Sequence, residues 1–323
     1  MPSVVDSVGL TPEQLESFNE NGFLVVPNYL SADEVQSLLT TTHDLLENFS
    51  LESHPMTRFT TGDDDNKTKH VGDDYFLSSG NKVHFFFEPD AVAAPDNDNR
   101  EEAAPRLLKP KHLAINKIGH ALHSKSAPFE KITLSKRNAA VASSLGFRDP
   151  RCLQSMVICK QPGIGGPVPA HRDSEFLYTS PPSAVGWWIA LQDATPGNAS
   201  LGMWKGSHRG KKGGHIRRRF VRCEEGAGTT FIANDGPALP LGKEEEEETQ
   251  DGQADEDFEV LNVKAGDLVL IHGNVLHKSE KNTSDKSRFA YTFHVIEGAE
   301  GWTYDERNWL QPPEEGFSRL NAV

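Results

Sequence analysis

The strongest constraint on the fold lies after Cys152, where short apolar and β-branched runs follow one another. They are Leu153 to Cys159, Val185 to Leu191, Thr229 to Ala233, Phe258 to Val263, Asp267 to His272 and Arg288 to Ile296. Turn residues divide them at intervals typical of sandwiches and barrels, not of β-α-β units. A chain patterned this way closes into an antiparallel barrel or a jelly roll. Its 323 residues can bury a sizeable core without metal or disulfide staples.

The first half reads differently. Thr11-Pro12-Glu13-Gln14 combines a capping hydroxyl, Pro at the first helical position and a reciprocal Gln. Gly22 ends that helix before the apolar run Phe23 to Val26. Ser31-Ala32-Asp33-Glu34 is a second capping box, opening a helix through about Leu46. Tyr75 to Phe87 has aromatic, strand-like character, and residues 89–111 read as a surface loop. Leu113 to His123 and Lys136 to Leu145 read as helices. The expected arrangement is mostly β with α, as one unit over residues 1–323. A helical N-terminal layer (about 10–150) packs on a β core (about 151–300).

The formal net charge is -14, yet ten acids and no base lie between Glu244 and Glu259. The remainder is only mildly acidic, and residues 243–259 read as a solvated insertion. Cys152, Cys159 and Cys223 cannot all pair and form no C-x-x-C, which suits small core residues in a reducing compartment. No apolar run approaches the roughly 18 residues of a membrane span. The first basic residue is Arg58, and Asn321-Ala322-Val323 is not a peroxisomal address. The expectation is a cytoplasmic protein without a membrane partner.

Chemistry enters with His171-Arg172-Asp173, which follows Gly165-Gly166-Pro167 in the β-rich half. In an extended segment residues i and i+2 face the same way, so His171 and Asp173 can reach one centre. Alone the motif is weak, because this many histidines and acids give about two such spacings by chance. Its context is His277, which follows the apolar run Leu268 to Ile271 and the turn Gly273-Asn274. The strand from Arg288 alternates, with Arg288, Ala290, Thr292 and His294 on one face and Phe289, Tyr291, Phe293 and Val295 on the other. Two imidazoles and one carboxylate form a facial triad with open positions, which suits non-haem Fe(II). A planar Arg fork grips a carboxylate through parallel hydrogen bonds. The bland alternative is a buried strand-end histidine and a surface arginine.

Several further segments bear on this choice: Asp74 to Gly80, Ile115 to His123, Gln154 to Met156, Lys160 to Pro162, Phe176 to Thr179, Trp188 to Ala190, His277 to Ser279, Tyr291 to His294 and Asn308 to Pro312. Through them and the triad, the chain resembles the phytanoyl-CoA dioxygenase family of Fe(II)/2-oxoglutarate oxygenases. Within that family it is similar to the branch of phytanoyl-CoA dioxygenase domain-containing proteins. The resemblance runs from about Leu10 to Pro313. It implies a double-stranded β-helix, the cupin-like jelly roll, with iron held by His171, Asp173 and His277. It also implies 2-oxoglutarate contacts from Lys117, Met156, Trp188, Ser279 and Arg288. The implied reaction hydroxylates a small organic substrate, of a fatty acyl or acyl-CoA type, using O2 and releasing succinate and CO2, with ascorbate as a supporting reductant. Read blandly, Lys117 is a helix-surface charge, Met156 a core filler, and Trp188 and Ser279 core and turn residues.

Two features stand apart from the resemblance. Ala199 and Lys205 occupy positions where the family carries Gly and Pro, in the loop Asn198 to His208 near the pocket mouth. The basic stretch Arg209, Lys211, Lys212, Arg217, Arg218, Arg219 and Arg222 reads as a solvated loop partly neutralised by the acidic insertion. Phosphate or nucleic-acid contact is the alternative, and no nucleic-acid signature accompanies it. The competing functional reading is a non-catalytic module that binds a 2-oxo acid and a metal.

Overall fold

The computed structural model describes residues 9–52, 54–58, 74–93, 106–209, 216–223, 228–234 and 257–320. The first part contributes α1 (Pro12–Asn21), β1 (Phe23–Val26), α2 (Ala32–Asn48), α3 (Asp74–Leu77), β2 (Val83–Phe87), β3 (Ile115–His120), α4 (Leu122–Lys125), α5 (Ala127–Thr133) and α6 (Lys136–Ser144). There follow β4 (Pro150–Lys160), β5 (Val168–His171), α7 (Asp173–Phe176), β6 (Thr179–Ser180), β7 (Val185–Ala190), β8 (Leu201–Met203), β9 (Arg218–Arg222) and β10 (Thr229–Ala233). The last elements are β11 (Glu259–Val260), β12 (Leu268–His272), β13 (His277–Ser279), β14 (Arg288–Glu297), β15 (Thr303–Tyr304) and β16 (Ser318–Arg319).

Two antiparallel sheets make a cupin-like jelly roll. The larger runs β1-β12-β7-β14-β4-β3-β2, with β16 also paired to β4, and the smaller runs β11-β8-β13-β5. Residues buried on both faces read as near-continuous apolar runs, and period two then decides which face each side chain meets. Leu268, Leu270, Trp187, Ile189, Phe289, Tyr291, Phe293 and Val295 point one way and join Leu38, Leu46, Phe129 and Ile132 of the helical layer. The alternate residues Val269, Ile271, Trp188 and Ala290 meet Leu201, Met203, Leu261 and Val263 between the sheets. The site opens from this inner face.

Both capping boxes form as the sequence requires, Thr11 with Gln14 and Ser31 with Glu34. Gly22 closes α1 at φ 82°, where a side chain is disfavoured. Other readings are corrected. Residues 113–123 are not one helix: Ile115 to His120 form β3, buried throughout and hydrogen-bonded to β2 and β4, and only Leu122 and His123 enter a helix, α4. Two isoleucines and a glycine make this a poor helix, and a strand on either side satisfies its backbone, so tertiary pairing decides. Residues 74–77 are a helical turn, leaving only Val83–Phe87 as strand. With β1, β2 and β3 in the larger sheet, the N-terminal region is more than a helical layer. The run at Phe258 to Val263 shrinks to the two residues of β11, which takes Glu259 from the proposed insertion. Residues 243–256 lie outside the described residues. Cys152 and Cys159 are buried, Cys223 is half-buried, and all three are free thiols. No helix among the described residues is long and apolar enough to cross a membrane.

Phe293 sits fully buried between the larger sheet and the helices, stacked on Trp187 at 5.5 Å between ring centroids. Phe293→Ala is expected to destabilise the fold by about 3–5 kcal/mol, the sum of lost transfer energy and an unfilled cavity. Urea unfolding checks this, and a loss below about 1 kcal/mol would show that the sheet–helix interface tolerates the void.

Candidate metal centre and its pocket

His171 ends β5 and His277 begins β13, and the antiparallel ladder sets the two opposite each other. Their ring centroids lie 4.2 Å apart. Asp173 lies just beyond the strand, opening the single helical turn α7. Its Oδ1 is 3.6 Å from His171 Nε2 and 3.7 Å from His277 Nε2. One ligand atom from each of the three residues falls within 4.8 Å of the others.

The outward-facing nitrogens fix the tautomers. His171 Nδ1 lies 2.9 Å from the Pro169 carbonyl oxygen, and His277 Nδ1 lies 3.2 Å from that of Val275. A carbonyl only accepts, so each Nδ1 carries the proton and each Nε2 turns a lone pair to the shared centre. Burial pushes His171 down to about 4, helped by His277 and opposed by Asp173, which favours the neutral, ligating form. Burial alone would raise Asp173. The neighbouring imidazoles of His294 and His277, with a hydrogen bond from His294, outweigh it and hold the carboxyl well below the usual range. Two neutral imidazoles and an ionised carboxylate are a donor set that could hold Fe(II).

A third histidine completes the arrangement. His294 Nε2 is 3.3 Å from Asp173 Oδ2, and the Gln154 side-chain nitrogen is 3.3 Å from His294 Nδ1. The amide donates to Nδ1, leaving the imidazole proton on Nε2 to reach the carboxylate. Gly186 stands opposite His294 in the ladder. A Cβ there would lie 3.2 Å from Asp173 Oδ2, so glycine makes room for the pair. Sequence reasoning placed His294 on the inner face but gave it no role. The alternation that aims Arg288 inward aims His294 inward as well, and that was the available signal.

Arg288 is 1% exposed. Its Nη2 donates to the Ala199 carbonyl oxygen at 2.8 Å, whereas Nε and Nη1 are enclosed without hydrogen-bond partners. The guanidinium lies over the Trp188 ring, 5.4 Å from its centroid. Burial pushes Arg288 down to about 9 and Lys117 down to about 7, the latter opposed by the charge of Glu88. A buried cation with unfilled donors calls for an anion. All eight residues singled out in the sequence, Lys117, Met156, His171, Asp173, Trp188, His277, Ser279 and Arg288, line one cavity of about 190 Å³. Lys117 reaches it from strand β3, not from a helix surface. Phe76, Phe176, Phe220 and Trp309 add an aromatic portion to the same lining, with Phe176 edge-on to His171 at 5.9 Å.

The basic stretch is a correction. Its described arginines do not form a solvated loop; most lie in β9 and tie neighbouring segments together. Arg218 pairs with Glu175 at 3.1 Å and Arg219 with Asp305. Arg222 donates to the carbonyl oxygens of Trp309 and Leu77, at 2.7 and 3.1 Å. Arg209 donates to the Asn19 carbonyl oxygen. Lys211 and Lys212 lie outside the described residues. Among the described residues, carboxylates and carbonyls close at hand meet these charges, and residues 243–256 of the acidic insertion lie outside them.

Comparison with known proteins agrees with this geometry. The family profile of phytanoyl-CoA dioxygenase (PhyH) matches residues 18–290. Phytanoyl-CoA dioxygenase domain-containing protein 1 of Bos taurus is 41% identical over 315 residues, covering 96% of this chain and 98% of that protein. A phytanoyl-CoA dioxygenase of Arabidopsis thaliana is 39% identical, with 94% of each chain covered. Among solved structures, the epimerase SnoN in complex with Fe3+, alpha ketoglutarate and nogalamycin RO shares the fold at a TM-score of 0.55 and 15% identity, covering 96% of this chain and 93% of that one. The chain belongs to the phytanoyl-CoA dioxygenase family of iron- and 2-oxoglutarate-dependent oxygenases.

Proposed function

We propose that the protein holds Fe(II) through His171, Asp173 and His277, binds 2-oxoglutarate against Arg288, and hydroxylates a small, largely apolar organic substrate. A fatty acyl or acyl-CoA compound, the class in the family's name, is the first to assay. The observation that carries the reading is Arg288. A fully buried guanidinium with two unfilled donor nitrogens is costly by several kcal/mol unless an anion meets it. It borders the same cavity as the triad. A dicarboxylate that anchors one end on the guanidinium can present its 2-oxo end to the triad.

Iron with 2-oxoglutarate and O2 supplies the oxidising chemistry, the cosubstrate leaving as succinate and CO2. The chain's own part is positioning and dryness. The Ala199 carbonyl occupies one Nη2 hydrogen of Arg288 and fixes the guanidinium plane, leaving its remaining N–H groups for the carboxylate. Trp188 lies under the guanidinium, and Ser279 and Lys117 add polar contacts along the cosubstrate. Met156, with Ile158 and Leu201 beside it, fills the remaining wall with apolar groups. Water kept from this end cannot compete for the anion or the metal positions. The Gln154–His294 pair holds the outer oxygen of Asp173, leaving the inner one for the metal. No side chain needs to act as a general base.

Protein supplied with Fe(II), ascorbate and 2-oxoglutarate is expected to release succinate, and His171→Ala to release none above background. Equal release by both, across a panel of acyl and other apolar substrates, would defeat the proposal. Arg288→Lys keeps the charge but loses the fork, so KM for 2-oxoglutarate should rise about tenfold or more, with a smaller change in kcat. Steady-state kinetics with varied 2-oxoglutarate decides it. His294→Leu should weaken Fe(II) binding by roughly ten- to a hundredfold, with partial rescue in His294→Gln. Metal titration reads this directly, and unchanged affinity would remove His294 from the account.

A further inference from the structure

Residues from three sequence segments, none of them assigned to the metal or the cosubstrate, converge on one wall of the cavity. Helix α3 and the turn after it bring Phe76 and Ser79, the end of β3 brings His120, and the C-terminal segment brings Trp309. Phe76 and Trp309 stack at 4.4 Å, and the His120 ring meets Trp309 edge-on at 5.1 Å. Phe76 and Phe86 flank the same imidazole at 5.8 and 5.5 Å. Arg222 bonds the carbonyl oxygens of both Trp309 and Leu77, so the wall is held from behind.

His120 is 1% exposed, and its tautomer follows from a single serine proton. Ser79 Oγ lies 2.6 Å from the Phe76 carbonyl oxygen and 2.7 Å from His120 Nδ1. Two oxygens that close need a proton between them, and only the hydroxyl can supply it. The serine proton is therefore spent on Phe76, and Nδ1 must donate to Oγ. That leaves Nε2 as a bare acceptor. It has no hydrogen bond among the described residues, is not sealed into the protein interior, and belongs to a ring that borders the cavity. Burial, then the charges of Lys117, His84 and His294, press against protonation and keep the ring neutral.

We infer that His120 is a specificity-determining residue: its Nε2 accepts a hydrogen bond from a neutral hydroxyl or N–H on a substrate whose apolar body lies against Phe76, Phe176, Phe220 and Trp309. A carboxylate placed there would set lone pair against lone pair, and a fully apolar group would leave the acceptor buried and unfilled. Two parts of the lining thus ask for different chemistry, an anion at Arg288 and a neutral donor at His120. This inference rests on the oxygenase reading, since it treats the aromatic portion as the substrate's.

The test uses protein loaded with Mn(II) in place of iron and with 2-oxoglutarate, and compares three small probes by calorimetry: benzyl alcohol, benzyl methyl ether and benzoate. The alcohol is expected to bind about tenfold tighter than the ether, and tighter than benzoate. His120→Phe should erase that preference, whereas His120→Gln, whose amide oxygen is again an acceptor, should keep part of it. Should His120→Phe fail to fold, Ser79→Ala carries the comparison, because it unlocks the tautomer and should shrink the preference. Equal binding of alcohol and ether by the native protein, no binding of the alcohol, strongest binding of benzoate, or a preference that survives in His120→Phe overturns the inference. Failure of 2-oxoglutarate to bind the Mn(II) protein would instead sink the oxygenase reading. Cosubstrate binding together with probes blind to the donor would sink only the role of His120.

Discussion

The register between β5 and β13 is the constraint on which the site depends. His171 and His277 face each other because two short strands pair there, and again at Val168 and Ser279. A one-residue slip in either strand would turn its imidazole to the opposite face of the sheet. Neither strand is long enough to fix that register alone, since β5 has four residues and β13 three. The neighbouring ladder supplies what is missing: β13 also pairs with β8 from His277 to Ser279, so His277 is held from both sides. Carbonyl oxygens of Pro169 and Val275 then set the ring tautomers. Backbone geometry, more than side-chain chemistry, makes these three residues a centre.

The same two-sheet construction explains why charged residues survive inside it. Arg288 opens the long strand β14 in the larger sheet, while His277 and Ser279 belong to the smaller, and the turn at 281–285 carries the chain between them. The cavity is the gap where inner faces part, lined in part by cations and in part by rings. Ala199 shows how tightly the part around Arg288 is built. It sits at φ 66° and ψ 54°, a left-handed conformation costing roughly 1–2 kcal/mol for a residue with a Cβ. Its carbonyl is the one that Arg288 Nη2 binds. Exchange of the family's Gly for Ala at this point leaves the carbonyl contact with Arg288 in place, with Asn198 hydrogen bonds to Thr195 and Asp193 holding the turn.

Much of this was legible in the chain before any coordinates, and particular residues show why. The inner face of β14 follows from alternation alone, and the capping boxes at Thr11 and Ser31 are local chemistry that no tertiary contact overrides. The triad was only suggested by spacing; the resemblance to a family joined His171 and Asp173 to a histidine more than a hundred positions away. What escaped was non-local. Ile115 to His120, read from the sequence as part of a helix, is a strand because β2 and β4 lie on either side. The arginines of β9 look like a surface patch until Glu175, Asp305 and the carbonyls of Trp309 and Leu77 arrive from distant segments. The part played by His294 needed both the ladder and the position of Asp173.

The tautomers of four histidines tie these observations into one electrostatic scheme. His171 and His277 have Nδ1 tied to carbonyls, so both offer Nε2 lone pairs. His294 receives at Nδ1 from Gln154 and so gives a proton through Nε2 to Asp173. His120 spends its Nδ1 proton on Ser79 and keeps a lone pair for the cavity. Each imidazole is thus set as donor or acceptor by one neighbour on the side away from the site, three of which are a carbonyl or hydroxyl oxygen and one an amide. Burial keeps His171 and His120 uncharged. The buried guanidinium of Arg288 then stands where the cosubstrate's anion is read to bind, while His120 offers the aromatic lining a neutral acceptor.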